Sequence, residues 1–438
     1  MNMFGVTASA FSVVASVVIV TVPAAASSGE DAAQSPFRVS GSVRLRHETL
    51  SAPFRAGGSG SDQHLAWRLR ILGEYDAGPV TFGAELLDAR TWLTDSGSVL
   101  PASSVNAAEI YQAYIIVRPA AGTQLQLGRY NMQIGSGRLA ANNGFSNSPN
   151  SFAGARLRHK ISDDWDMDAF YGSPVPVLPR DRNALLNNTA RQDEVDWDTR
   201  FWAAHFTRKN LPGGMVGEAY LFGLNSANGT DTYAPGARLR RAASPGRTDF
   251  EIEAVLQTGS RPSAGGRQDI RAGFAHMEAG YTFEDSWRTR LSAHVIYASG
   301  DRAGGDFTRF NPMFGGRRGD FGPVPIFGPL ARENLIATGV RYQSRRGPVE
   351  FHARINEARL AVAEDVWGRA GLRDATGQSG RRIGIVADAY AGYNFASANT
   401  RLEVGAAVLA KGDFARNAPN APDSRNVNYT YISLTRSF

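Results

Sequence analysis

The chain of 438 residues contains no cysteine, which excludes disulfide scaffolds and thiolate metal sites. It also contains almost no lysine: only Lys160, Lys209 and Lys411 stand among its 47 basic residues, so the others are arginine. These cations exceed the 41 acidic residues and give a formal net charge of +6. Such an excess indicates acidic partners, but no run of five or six Lys/Arg exists. We therefore expect no nucleic-acid partner.

Long hydrophobic runs are missing after residue 30. Before it, residues 3–22 are uncharged and apolar or small, Pro23 follows, and Ala24 to Ala26 give an A-x-A pattern. We predict a signal peptide at 1–26 and a short periplasmic segment at 27–36. The start carries no Lys or Arg, so a transmembrane helix of the ~20 residues that a bilayer needs is the alternative. The mature chain is expected to be exported, and any membrane crossing would not use helices.

From residue 37 onward the dominant pattern has a period of two. Val43 and Leu45 alternate with Arg44 and Arg46, and the same alternation recurs along the chain, for example at 349–356. Successive side chains of a strand point to opposite faces. Each segment is therefore predicted to be a strand with one apolar and one charged face.

Eighteen such segments are predicted between residues 37 and 438. They are 37–50, 64–77, 80–92, 108–118, 123–135, 151–162, 165–175, 199–210, 214–225, 237–242, 248–260, 269–283, 288–300, 333–345, 349–361, 381–395, 399–414 and 426–438. Interruptions of the pattern near Leu86-Leu87 and near Arg129 indicate bulges or an irregular register.

The connections alternate between short and long. The long ones include 51–63, 93–107, 136–150, 176–198, 301–332 and 362–380. An even strand number with this alternation is typical of an antiparallel outer-membrane β-barrel, here one domain over 37–438. A soluble sandwich is disfavoured, because half of each strand would face a shared core in which the arginines have no partners.

The last predicted strand ends on Phe438. Thr430, Ile432 and Leu434 share a face with this terminal aromatic residue, although Arg436 interrupts the apolar series. A terminal aromatic on an alternating strand resembles the signal read by the outer-membrane barrel assembly machinery. We therefore expect this machinery, outer-membrane lipid and lipopolysaccharide as partners.

An eighteen-stranded barrel is wide enough for an aqueous channel. By strand phase, the inward cations are Arg44, Arg46, Arg68, Arg70, Arg156, Arg158 and Arg354. The inward carboxylates are Glu48, Glu74, Glu85, Asp166, Asp168, Glu251, Glu253, Glu350 and Glu403. One interpretation is a structural ladder of opposite charges that braces the cylinder. The other is an anion path, since rings of arginine select anions and the planar guanidinium binds carboxylate in a bidentate way. Both can hold together.

Signs of other chemistry are weak. The seven histidines show no HExxH spacing and are better explained as lumen residues than as zinc ligands. The acidic segments 162–168 and 301–306 could hold calcium, but a strand turn explains the first better. No GxSxG motif is present either. Because all of these signs are weak, we expect no catalytic residue, no metal, no cofactor and no enzyme activity.

Three motifs, in order along the chain, resemble those of the alginate-export outer-membrane proteins. The first comprises Leu127 to Tyr130, Gly135 to Leu139, Asn143 and Phe152 to Leu157. The second comprises Tyr297 to Asp301 and Phe310 to Phe314, and the third Leu402 to Gly405 and Lys411 to Phe414. The resemblance covers essentially the whole mature chain.

The resemblance implies an eighteen-stranded barrel of the Gram-negative outer membrane with an arginine-rich, anion-selective lumen partly closed by a long extracellular loop and a periplasmic turn. It implies passive export of a polyuronate such as alginate, with periplasmic export partners, and assigns Arg129, Arg138 and Arg156 to the pore. Tyr130 departs from the glutamine usual in this motif, and the link 284–287 is too short for a periplasmic plug. A general or oligosaccharide-uptake porin is the alternative. A further alternative is an adhesin or hydrolase that acts through the loop 301–332.

Overall fold

The structure, a computed structural model, describes residues 35–438. The predicted signal peptide and most of the segment 27–36 lie outside the described residues. From Phe37 onward, eighteen antiparallel strands form one sheet that closes on itself, because the first strand pairs with both the second and the last. This confirms the predicted barrel. Among residues 35–438, no helix is long and apolar enough to cross a membrane.

The strands follow one another around the barrel in chain order. They are β1 (Phe37–Leu50), β2 (Asp62–Asp76), β3 (Val80–Trp92), β4 (Asn106–Ala120), β5 (Thr123–Tyr130), β6 (Ser151–Lys160), β7 (Trp165–Val175), β8 (Arg200–Leu211), β9 (Met215–Asn225), β10 (Asp231–Arg241), β11 (Arg247–Ser263), β12 (Gly266–Thr282), β13 (Arg290–Ala298), β14 (Leu335–Arg346), β15 (Val349–Arg359), β16 (Arg382–Phe395), β17 (Thr400–Lys411) and β18 (Val427–Ser437). Three short α-helices lie in connections: α1 (Arg182–Leu186), α2 (Arg318–Phe321) and α3 (Asp413–Asn417).

Two strand boundaries differ clearly from the prediction. β5 ends at Tyr130 and not at residue 135, because the Asn131 N–H donates to the Gln112 side chain (2.8 Å) and the chain turns away from β6. β10 begins at Asp231 and not at residue 237. Pro235 has no N–H, and pairing with β11 is interrupted beside it. Because proline is unusual inside a strand, the sequence around it does not indicate one.

The predicted irregularity near Leu86-Leu87 is confirmed, since the β3–β4 register shifts at both residues. The prediction of a register irregularity at Arg129 was wrong, because pairing with β4 and β6 runs evenly through this residue. The apolar pattern is interrupted by Arg129 itself, which has the same phase as the exposed Leu127, and the adjacent Gly128 adopts a φ of 118° that side chains disfavour.

The two faces of the sheet differ as a membrane barrel requires. The outer face exposes large apolar side chains, and its aromatic rings lie near both ends of the strands. At the end with short turns these include Phe37, Tyr75, Phe82, Tyr281, Phe351 and Tyr393; at the long-loop end they include Trp92, Tyr171, Tyr233 and Tyr297. The inner face carries the charged residues, including Arg46, Glu48 and Arg354, which are buried.

The terminal residue takes part in closing the barrel. Gly41 and Phe438 exchange backbone hydrogen bonds of 2.8 and 3.0 Å, and the Phe438 ring covers Gly41 so closely that a Cβ there would lie 2.6 Å from it. Phe438 therefore stabilises the seam between β1 and β18. Its role as an assembly signal stays a prediction.

Substituting Gly405 by valine should destabilise the barrel. A Cβ at this position would lie 2.3 Å from the ring of Tyr431, whose hydroxyl donates to Glu403 (2.7 Å). We expect a loss of about 1–3 kcal/mol from overpacking, measured as a lower temperature for the loss of the folded band on unheated gels. Ala406→Val adds similar bulk on the lipid side and is the control. Equal unfolding temperatures for the two variants would contradict the prediction.

Candidate functional site

Two long connections, 131–150 and 299–334, fold together inside the lumen; we call them the plug. A backbone bridge joins Ala140 to Phe314, and the Gly316 N–H donates to Gly137 O (2.9 Å). The Phe314 ring packs edge-on against Phe152 and Phe201 of the barrel wall, at 5.4 and 4.9 Å between centroids. Apolar packing therefore fixes the plug to the wall formed by β6 and β8.

A buried group of charges lies where the two plug segments meet. Arg138 pairs with Glu251 and Glu253 of β11 and with Asp320 of α2 (3.0 Å), and Asp320 also pairs with Arg332 (2.6 Å). Burial would raise the pKa of Asp320, but Arg138 and Arg332 outweigh it and hold that pKa well below the usual value. Asp320 is therefore ionised and joins the two plug segments to each other, while Arg138 joins them to the wall.

Arginines of β1 and β2 hold the plug by its backbone. The Arg68 guanidinium donates to the carbonyl oxygens of Gly144 (2.9 Å) and Ser146 (3.0 Å), and Arg44 donates to the same two oxygens at 3.3 and 3.2 Å. Arg46 donates to Phe145 O (2.7 Å) and pairs with Glu48 (2.6 Å). These three predicted pore residues thus bind protein carbonyls.

The opposite wall contacts the other plug segment in the same manner. Arg354 of β15 pairs with Asp388 (2.9 Å) and donates to Gly319 O (2.7 Å). From the plug, Arg318 reaches Glu403 of β17 (2.5 Å). The plug therefore spans the lumen from β1 and β2 to β15 and β17.

The other predicted lumen arginines divide into paired and unpaired groups. Arg70 pairs with Glu85 (2.5 Å), Arg129 with Glu109 and Asp193 (2.5 and 2.7 Å), and Arg156 with Asp168 (2.6 Å). The side chain of Arg158 forms no hydrogen bond and no ion pair with any described residue, although Asp168 lies opposite it on β7. The remaining predicted carboxylates also have partners: Glu74 with Arg38 and the Tyr114 hydroxyl, Asp166 with Lys209, and Glu350 with Arg401.

Below the plug, toward the short turns, a cavity of about 790 Å³ opens beside Arg158; we call it the basic vestibule. Its charged lining residues are Arg118, Arg158, Lys160, Asp166, Asp168, Glu218, Arg238 and Arg240. Each of the three carboxylates is bound to a cation: Asp166 to Lys209, Asp168 to Arg156 and Glu218 to Arg238. The charge left over in the basic vestibule is therefore positive.

Several residues of this site were missed by strand phase. Asp320, Arg318 and Arg332 lie in the plug, where no periodic pattern exists to orient a side chain. Arg238 and Arg240 alternate on β10 and lie opposite Glu253 and Glu251, a signal that could have been read from the sequence. Among residues 35–438, no three His, Asp or Glu side chains are arranged to hold a metal ion.

The sequence of the chain matches a protein family, and its fold matches solved structures. The family described as Alginate export matches residues 35–428. No curated protein sequence matches the chain.

Solved porin structures share the fold. OccAB2 of Acinetobacter baumannii superposes with a TM-score of 0.63 at 14% identity, covering 92% of this chain and 98% of its own. OpdK of Pseudomonas aeruginosa, crystallised with vanillate, gives 0.60 at 12% identity, with 91% and 98% covered. A BenF-like porin of Pseudomonas fluorescens Pf-5 gives 0.60 at 12% identity, with 91% and 99% covered.

Replacing Asp320 by asparagine should loosen the plug. The change leaves Arg332 buried without its carboxylate, and removing one partner of a buried pair costs about 3–5 kcal/mol. We expect faster proteolysis within 315–332 and a larger single-channel conductance. Asp306→Asn, in the same loop but paired with the exposed Arg271 (2.9 Å), is the control and should change little.

The same ion pairs predict a pH dependence. Because the pKa of Asp320 is depressed, its stabilisation is complete above about 3.9, the ordinary aspartate value, and is lost only as the pH falls through its lower folded value. Wild-type conductance should therefore stay unchanged between pH 7 and 5. Opening of the wild-type channel in that window would contradict the assignment.

Proposed function

Because the chain belongs to the alginate-export family, we propose that it is an outer-membrane channel of Gram-negative bacteria for an acidic polysaccharide. The substrate would be an alginate-like polyuronate that moves outward passively through an anion-selective lumen. The basic vestibule carries this proposal. Its carboxylates are all bound to cations, while the side chain of Arg158 forms no ion pair with any described residue.

The mechanism we infer is electrostatic. Arg158 and Arg240 line the same cavity, and among the described residues Arg240 has one anionic contact, at 3.4 Å to the shared Glu218. These two arginines would take the place of the counterions of successive uronate carboxylates. Guanidinium groups suit this task, because their planar fork matches a carboxylate. Each contact would be weak enough for the chain to keep moving, as conduction through several adjacent sites requires. The paired carboxylates would hold the arginines in orientation.

The plug supports a second candidate: uptake of oligosaccharides or small carboxylates through the same barrel. The plug spans the lumen, so a polymer can pass only if 131–150 and 299–334 move aside, whereas a small solute needs less space. OpdK, a structural neighbour crystallised with vanillate, is consistent with such a solute.

The other expectations follow from the same features. We propose that the chain transports without catalysing a reaction and without a cofactor. Its partners would be lipopolysaccharide, membrane lipid, the assembly machinery that reads Phe438, and periplasmic export proteins. An adhesin or hydrolase acting through 301–332 has less support, because most of 320–332 is buried in the plug.

Reversing the charge of Arg158 should reduce anion preference. The side chain is unpaired, so Arg158→Glu removes a free positive charge and adds a negative one to the basic vestibule. We expect wild type to prefer chloride over potassium in planar bilayers, and the variant to lose several-fold of that preference. Arg359→Glu makes the same change on the outer face near the long loops. Cation preference in wild type, or equal selectivity in both variants, would overturn the anion channel.

Liposome uptake separates the two candidate functions. Glucuronate and uronate oligomers of increasing length are offered to liposomes that contain the wild-type protein or Asp320→Asn. Entry of long oligomers into wild-type liposomes supports polymer export. Entry of the monomer alone, with oligomers admitted only by Asp320→Asn, supports uptake of small carboxylates.

A further inference from the structure

Three arginines from three different loops converge at the long-loop end of the barrel. Arg55 donates to Ile326 O and Phe327 O (both 2.7 Å), Arg317 donates to Gly328 O (3.0 Å), and Arg369 approaches Gly328 O at 3.5 Å. We call them the loop trio. All three side chains meet the backbone of residues 326–330, and the Phe327 ring stacks on Tyr429 of β18 at 5.4 Å. The loop trio thus lies beside β18, on the side of the plug away from the basic vestibule.

The loop trio differs from most other buried arginines of the protein in having no carboxylate. None of its three members has an Asp or Glu oxygen within 4.0 Å among the described residues. The acidic groups that influence them, Asp62 and Glu333, lie farther away. Three positive charges therefore share one partly buried place with weak compensation.

The charges repel one another. Burial, and then the neighbouring Arg369, lower the pKa of Arg55 to about 9, and the same two causes, followed by Arg55, lower the pKa of Arg317 to about 9. Burial also lowers the pKa of Arg369. A bound anion would relieve this repulsion, because an opposite charge stabilises the protonated form of each guanidinium.

Unused donors are available for such an anion. The long contact from Nε to Gly328 O is the one hydrogen bond of the Arg369 side chain, and its two terminal nitrogens have no partner among the described residues. Buried charges in proteins are normally paired. The plug carbonyls satisfy part of the hydrogen bonding of the loop trio but supply no negative charge.

We propose that the loop trio is a second anion site, which binds a carboxylate through Arg369 with Arg55 and Arg317 beside it. A carboxylate suits the planar fork of Arg369, which can donate two parallel hydrogen bonds. The ligand class is a uronate or another small carboxylate. The site would concentrate it at the long-loop end, at the opposite end of the lumen from the basic vestibule.

The test is equilibrium binding to the purified full-length protein in detergent, measured by calorimetry with D-glucuronate. Glucose serves as the uncharged control and inorganic phosphate as the alternative oxyanion. All variants also carry Arg158→Gln, which weakens binding in the basic vestibule. In this background, Arg369→Gln should weaken glucuronate binding at least ten-fold, and Arg369→Lys should give an intermediate loss because it keeps the charge without the fork.

Arg373→Gln is the matched control, since this exposed arginine lies in the same loop and donates to Glu364 O (2.9 Å). It should bind glucuronate like its parent. Hydrogen exchange of residues 326–330 should slow when glucuronate binds. Unchanged binding in both Arg369 variants, or equal binding of glucose, would overturn the site. Tighter binding of phosphate than of glucuronate would overturn the carboxylate assignment.

Binding of glucuronate at the loop trio can be tested separately from transport through the barrel. Binding at the loop trio without conductance would leave this site standing and remove the proposed channel function. Anion-selective conductance with no effect of Arg369 on binding would do the reverse.

Discussion

The structure depends on the pairing of most of the guanidinium groups that lie inside the barrel. Closing an antiparallel sheet sends every second side chain inward, and in this chain many of those side chains are arginines. A charge removed from water needs an opposite charge or several hydrogen bonds. Wall carboxylates supply the partners for Arg70 and Arg156, whereas the carbonyl oxygens of the plug supply them for Arg44 and Arg68.

This requirement explains why the plug and the wall form one system. The plug carries Arg138 and Arg318, which pair with carboxylates of the wall, and it presents backbone oxygens to the arginines of the wall. Without the other, the plug and the wall would each bury charges or hydrogen-bond donors that lack partners. The contacts of the plug concentrate in the long-loop half of the lumen, while in the short-turn half the side chain of Arg158 forms no ion pair with a described residue.

The barrel could be predicted because its signal is local and repeated. Alternation identified eighteen strands and the inward phase of residues such as Arg44, Glu48 and Arg354. It failed where regular pairing stops, at Asn131 after β5 and at Pro235 in β10. The plug could not be derived this way, since the partners of Asp320 are twelve residues away at Arg332 and 182 away at Arg138. Arg138 entered the prediction through the family motif alone, with no indication of its partners.

The contacts of Arg44, Arg46 and Arg68 have a consequence for how the chain can change during evolution. These arginines donate to main-chain oxygens of residues 144–146, which every amino acid provides, but the Phe145 ring also lies under Arg46 at 4.0 Å and under Arg318 at 3.7 Å. Substitutions at Gly144 and Ser146 would leave the hydrogen bonds in place, while Phe145, Arg138, Asp320 and Arg332 are tied to their chemical identity. The lumen could therefore acquire a different shape or substrate preference through drift at Gly144 and Ser146, without first dismantling the attachment that keeps the plug inside the barrel.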